Sequence, residues 1–229
     1  MSTADSSGSY VSGGVVASHR RLRGAVGSVV VLVVTTVGAA QPRATTSTPS
    51  GYRIVAVKNG GVRIAVPDAW APLDLTRKPL KYYVRVFAGS HPKLAEYFGS
   101  DVFSHDVGLP YTDLFAADAS SDAPTPDNVR IEHYRQPQPG SPVDHQRELR
   151  DVTMKMGGQD VKVARTRVAG RSGVVASAFL ASPPYPVHMT SYFVGVRPSV
   201  WYVVVFITRD DPQQDDTVQT MINSFEVAP

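Results

Sequence analysis

Trp201-Tyr202-Val203-Val204-Val205-Phe206-Ile207 is apolar at every position. A strand with one wet face alternates apolar and polar residues, whereas a β-branched and aromatic run without alternation must be covered on both faces. The stretch therefore predicts a central strand with helices or loops on each side, which means three layers.

The flanking sequence supplies the neighbours. Downstream, Asp211 reads as a helix cap, Pro212 as a first-turn residue, and Asp215 and Asp216 lie near the positive end of the helix dipole. Val218, Met221, Ile222 and Phe225 follow at i, i+3, i+4 and i+7, which predicts one face packed on the sheet. Upstream, His188 to Val196 pairs onward through Arg197-Pro198-Ser199, and Val161 to Val168 and Gly173 to Leu180 are strands joined by Ala169-Gly170-Arg171-Ser172. Before these, Ser141 caps a helix with Pro142 in its first position and Asp144 three after the cap. Its stripe Leu149, Val152 and Met156 is expected to cover a sheet until Gly157-Gly158 stops it.

The first half of the domain is less regular. Arg53 to Val57 and Val62 to Val66 form an opening hairpin through Asn59-Gly60-Gly61, residues that tolerate a tight turn. Pro67 ends the second strand before Trp70, a core or rim aromatic. Tyr82-Tyr83-Val84-Arg85-Val86-Phe87 reads as a strand or segment buried on one side, with a partner surface as the alternative. A short helix starts at Pro92, aligns Leu94, Tyr97 and Phe98, and ends at Gly99 as a left-handed stop. Breakers crowd Asp101 to Asp127 around a strand at Asp113 to Ala117; Asn128 to Tyr134 is a strand, and Gln136 to Pro142 a polyproline-like connector.

Residues 1–23 form a Ser- and Gly-rich region ending in the basic cluster His19, Arg20, Arg21 and Arg23. Residues 24–40 carry no charge and contain Val29-Val30-Val31-Leu32-Val33-Val34. Retention of the basic cluster while the apolar run enters a bilayer predicts that everything beyond Ala40 is exported. As a helix the run spans about 26 Å against a hydrocarbon core of ~30 Å, which suits either a signal-peptide core, with Gly38-Ala39-Ala40 as cleavage site, or a short transmembrane anchor. Residues 41–51 are a linker, and residues 52–229 the folded domain.

Composition narrows the chemistry. The chain is 42% hydrophobic and 19% charged over 229 residues, enough apolar surface for a core. Of 23 Lys+Arg and 20 Asp+Glu, three arginines and Asp5 precede residue 41, leaving the rest nearly balanced at 20 against 19. Without a clustered basic face, nucleic acid is not an expected partner. Cysteine is absent, which excludes disulfides, thiolate metal sites, a cysteine nucleophile and a lipidated cysteine.

No catalytic, metal or cofactor residue is assigned. Ser104-His105-Asp106 holds the residue types of a hydrolase triad, but sequence neighbours do not reach triad geometry. His19, His91, His105, His133, His145 and His188 show no metal-ligand spacing. Asp144, Glu148 and Asp151, interleaved with Arg147 and Arg150, read as a solvated helix face. Neither Gly60-Gly61 nor Gly157-Gly158 fits a phosphate loop. Ser182-Pro183-Pro184-Tyr185-Pro186 reads as a rigid loop between strands.

Gly61-Val62-Arg63-Ile64-Ala65-Val66-Pro67-Asp68-Ala69-Trp70, Asn128-Val129-Arg130-Ile131, Val168-Ala169-Gly170, the Trp201 strand and Met221-Ile222-Asn223-Ser224-Phe225 together resemble the PsbP-like (Mog-type) fold, and within it the LpqN-type exported actinobacterial proteins. The resemblance covers residues 52 to 227. It implies an α+β fold, an antiparallel β-sheet flanked by helices in a three-layer α/β/α sandwich, and an accessory or protein-binding role more often than catalysis. The chain departs from the lipoprotein members in having no cysteine near Ala40.

The expected function is an extracytoplasmic, non-catalytic binding or accessory module. The alternatives are a carrier of a hydrophobic small molecule and an envelope hydrolase. The expected partner is an envelope protein or an apolar ligand, with membrane contact through residues 24–40 if these are not cleaved. A dry apolar cavity favours the carrier, and a flat aromatic patch favours a protein partner.

Overall fold

The computed structural model describes residues 48–57, 61–100, 111–135, 140–181, 186–209 and 212–227. The apolar run Gly24–Ala40, the Ser104-His105-Asp106 triplet, Asp211 and most of the 182–186 loop lie outside the described residues. Among the described residues no helix is long and apolar enough to cross a membrane.

In chain order the elements are β1 (Tyr52–Val57), β2 (Val62–Pro67), β3 (Trp70–Asp74), α1 (Leu80–Ser90), α2 (Pro92–Gly99), β4 (Thr112–Asp118), β5 (Asn128–Arg135), a 3-10 turn (Pro142–His145), α3 (Gln146–Lys155), β6 (Gly158–Val168), β7 (Arg171–Leu180), β8 (Val187–Arg197), β9 (Val200–Thr208), α4 (Pro212–Ser224) and β10 (Glu226–Val227). Two sheets result, one in the order β1-β2-β10 and one of seven strands in the order β3-β4-β5-β9-β8-β7-β6. Every neighbouring pair is antiparallel. The fold is α+β, with antiparallel sheet and helices.

β9 is the fourth strand of the seven, and Trp201 to Phe206 are all buried. Side-chain alternation then sorts its residues between two cores. Tyr202, Val204 and Phe206 join Ile64 and Val66 of β2 and Val218, Met221, Ile222 and Phe225 at the C-terminal helix. Burying each of those four α4-side chains is worth about 1.5–3 kcal/mol, so the i, i+3, i+4, i+7 stripe docks this helix. Ser224 fixes the small sheet beside it, its hydroxyl accepting from the Ala65 amide at 2.7 Å and donating to the Met221 carbonyl. On the opposite face Val203 and Val205 cluster with Met189. At the β3–β4 end of the sheet, Leu94 and Phe98 of α2 pack on Leu73, Phe115 and Ala117.

Four expectations need correction. Tyr82 to Phe87 is helical, inside α1, rather than a strand. Its β-forming composition is overridden because Leu80, Tyr83, Val84 and Phe87 recur at helical spacing and pack together against the α2 cluster. Gly99 is not a left-handed stop: it closes α2 as its last residue, and Ser100 takes the cap position with extended backbone and its amide on the Tyr97 carbonyl. Helix α3 covers β6 and β7 as expected, but its apolar stripe is only partly docked: Thr153 is its sole buried residue and Leu149 is half-buried, while Val152 and Met156 stay about half exposed. The turn between β6 and β7 is also tighter than expected, Ala169 and Gly170 both taking positive φ.

Candidate functional site

The partly docked stripe of α3 defines the site. Between α3 and the sheet lies a groove of about 430 Å³. Leu149, Val152, Thr153 and Met156 form its helix wall. Val203, Val205 and Trp201 of β9 and Met189, Ser191 and Phe193 of β8 form its floor. β5 supplies Arg130, Glu132, Tyr134 and Arg135. The lining is mostly apolar, with Thr153 and Ser191 as hydroxyls and its charged residues all on β5.

Local sequence explains how α3 is held. Pro142 starts a 3-10 turn, where its missing amide hydrogen costs nothing. The Asp144 carboxylate accepts from the Ser141 amide at 3.0 Å. That bond to the Ser141 backbone, helped by the Ser141 side chain, holds the Asp144 carboxyl below its ordinary pKa. At the other end Gly157, with φ of 87°, reverses the chain into β6. A Cβ on Gly158 would meet the Thr153 carbonyl oxygen at 2.7 Å, so only glycine allows this approach. The Trp201 indole donates to the Gly140 carbonyl at 3.2 Å and packs edge-on against His145 at 5.2 Å between centroids. The segment before α3 is thereby fixed to the start of the central strand.

The polar group is an ion pair with a phenol attached. Arg130 Nε lies 2.8 Å from Glu132 Oε1, and both side chains are at most one-tenth exposed. The Tyr134 hydroxyl donates to Glu132 Oε2 at 2.5 Å. Burial, and then this bond to Glu132, push the Tyr134 phenol far above its usual range, so it remains a donor. Alternation along β5 brings Arg130, Glu132 and Tyr134 to one face. A sequence signal for this existed in the Arg-x-Glu-x-Tyr spacing, but it reads equally well as the wet face of a strand.

On another part of β5, His133 Nδ1 is 3.0 Å from both carboxylate oxygens of Asp113. Asp113 is buried on β4, at the irregularity between Thr112 and Leu114. Burial raises its carboxyl above the ordinary value, and the His133 charge and hydrogen bond partly oppose that. Such a pair can orient an imidazole for base chemistry; its members are 20 residues apart, so no local spacing signals it. Ser104, the nucleophile a triad reading would need, lies outside the described residues.

The remaining sequence candidates stay apart. Asp144, Glu148 and Asp151 are exposed on the surface of the 3-10 turn and α3, with Glu148 receiving His145 at 2.7 Å. His91 lies between α1 and α2, and His188 rests against Phe179 on β7. Among the described residues no group of three or more His, Asp and Glu could hold a metal ion.

No family model matches the chain, and no curated protein matches it in sequence. Among solved structures it is similar to the cyanobacterial PsbP protein CyanoP of Synechocystis, at 11% identity and a TM-score of 0.48 over 82% of this chain and 98% of that one. It is also similar to LpqN of Mycobacterium tuberculosis, which is involved in cell envelope biogenesis, at 11% identity and a TM-score of 0.48 over 78% of this chain and 91% of that one. A Bacteroides thetaiotaomicron protein is similar at 6% identity and a TM-score of 0.42, over 74% of this chain and 46% of that one.

Proposed function

We propose that this chain is a binding module working outside the cytoplasm, and that the groove between α3 and the sheet holds an apolar small molecule. The observation that carries this reading is the α3 stripe itself. Val152 and Met156 are about half exposed at 53% and 51%, yet they face a floor of Val203, Val205 and Phe193 across open space. Leaving that much apolar surface apart is unfavourable by about 25 cal/mol per Å², and a ligand that fills the gap recovers it. The groove volume falls in the range of small-molecule sites, which are mostly apolar with a few placed polar groups. This favours the carrier over a module that binds protein alone. The placement outside the cytoplasm is supported by the basic cluster at Arg20, Arg21 and Arg23 followed by the uncharged Gly24–Ala40.

Native mass spectrometry of the purified full chain tests the reading. It is expected to show an apolar molecule of discrete mass bound one to one, and Leu149→Trp, which fills the groove from its helix wall, is expected to remove it. A chain that carries no such molecule and binds no alkyl probe, or a Leu149→Trp variant that retains its ligand undiminished, would contradict it.

A further inference from the structure

We propose that the molecule held in the groove is an uncharged amphiphile, an alkyl chain carrying a hydroxyl, ester or amide, and that its polar group sits on the Ser191 hydroxyl; this rests on the groove being the binding site. Two observations on the groove floor carry it independently. The first is a hydroxyl without a partner. Ser191 is 5% exposed and lines the groove, flanked on the same face of β8 by Met189 and Phe193. Among the described residues its side chain forms no hydrogen bond. A buried hydroxyl left unpaired is unfavourable, and a polar ligand atom beside it removes that penalty.

The second observation is a cancellation of charge. On the groove face the charged side chains are Arg130 and Glu132, because alternation along β5 turns Arg135 to the other side of the sheet. Glu132 holds Arg130 with one oxygen and accepts from Tyr134 with the other, so the pair is neutral as a whole. An ionised head would give up its water and meet no net counter-charge, whereas an uncharged one enters without that penalty.

Register sets the orientation. Arg130 of β5, Val205 of β9 and Ser191 of β8 are direct neighbours across the sheet, which puts the Ser191 backbone about 10 Å from that of Arg130 at ~4.8 Å per strand. The hydroxyl is thus set among apolar side chains, apart from the ion pair. An alkyl chain anchored there runs over Phe193 and Val203 toward Trp201, the apolar part of the floor.

Isothermal titration of the full chain with decanol, decanoate and decyltrimethylammonium, each kept monomeric, tests this. Decanol is expected to bind at least about tenfold more tightly than either ion. Ser191→Ala is expected to weaken decanol about fivefold without lowering the melting temperature. Glu132→Gln, which leaves Arg130 uncancelled, is expected to raise decanoate affinity at least about tenfold. The paired Arg130→Met and Glu132→Leu variant, which has no charge on the groove face, is expected to keep the preference for decanol even where Glu132→Gln does not fold. An ion that binds the parent as tightly as decanol, decanol affinity untouched by Ser191→Ala, a folded Glu132→Gln variant that gains no decanoate, or a paired variant that loses the preference overturns the uncharged head at Ser191 and leaves the groove reading standing. Failure of all three probes to bind overturns both.

Discussion

Glu132 Oε1 lies 2.8 Å from Arg130 Nε, two residues along the same strand and on the same face, with both side chains nearly sealed from water. A buried pair of this kind gains little net stability, but each charge is costly without the other. Arg130→Met alone is therefore expected to destabilise the domain by about 3 kcal/mol. The double variant Arg130→Met with Glu132→Leu is expected to return to within about 1 kcal/mol of the parent. Urea denaturation of the three proteins checks this, and a double variant as unstable as the single one would sink it.

Phe225 is fully buried just beyond α4 and stacks edge-on near Tyr202 at 6.4 Å between centroids. It closes the core between α4, the small sheet and β9. Phe225→Ala is expected to cost about 3–5 kcal/mol, read as a lower urea midpoint at unchanged slope. A loss below about 1 kcal/mol would mean that α4 is not held as described.

Gly173 sits where β7 passes β8, and a Cβ there would lie 2.4 Å from the Phe193 carbonyl oxygen. Backbone cannot yield as a side chain can. Gly173→Ala is expected to destabilise by about 1–3 kcal/mol and to weaken ligand binding, because Phe193 belongs to the groove floor. Normal melting together with normal binding would contradict it.

The Asp144 carboxyl is held below its ordinary value by the Ser141 backbone and side chain. Its folded pKa is below its unfolded one, so the carboxylate contributes stability above the unfolded value of 3.8 and loses it as pH falls through the lowered folded value. Asp144→Asn is expected to fall behind the parent at neutral pH and to draw level with it in acid. Thermal melts of both proteins across that range measure the difference, and a gap independent of pH would refute the assignment.

Much of the fold was legible wherever one period dominated. The unbroken apolar run at Trp201 announced a central strand, and Val218, Met221, Ile222 and Phe225 announced a docked helix, because burial is uniform along each. Tyr82 to Phe87 misled because β-branched and aromatic residues also suit a helix when tertiary packing rewards i, i+4 alignment, as between Tyr83 and Phe87. The site was harder to see for a physical reason. An apolar stripe such as Leu149, Val152 and Met156 has the same sequence whether it packs on a sheet or stands off from it. The distance between helix and sheet depends on the cap at Ser141 and Asp144, the close approach at Gly158 and the Trp201 bond to Gly140, contacts that no periodicity encodes.

The chain has two tryptophans, and they report on opposite faces of the sheet. Trp201 lines the groove, whereas Trp70 is buried in the core shared with α4. Titration with a brominated fatty alcohol, read by fluorescence quenching, is expected to quench Trp201 saturably in a Trp70→Phe variant and to leave Trp70 nearly unquenched in a Trp201→Phe variant. Equal quenching of both residues, or none of Trp201, would contradict a binding site between α3 and the sheet.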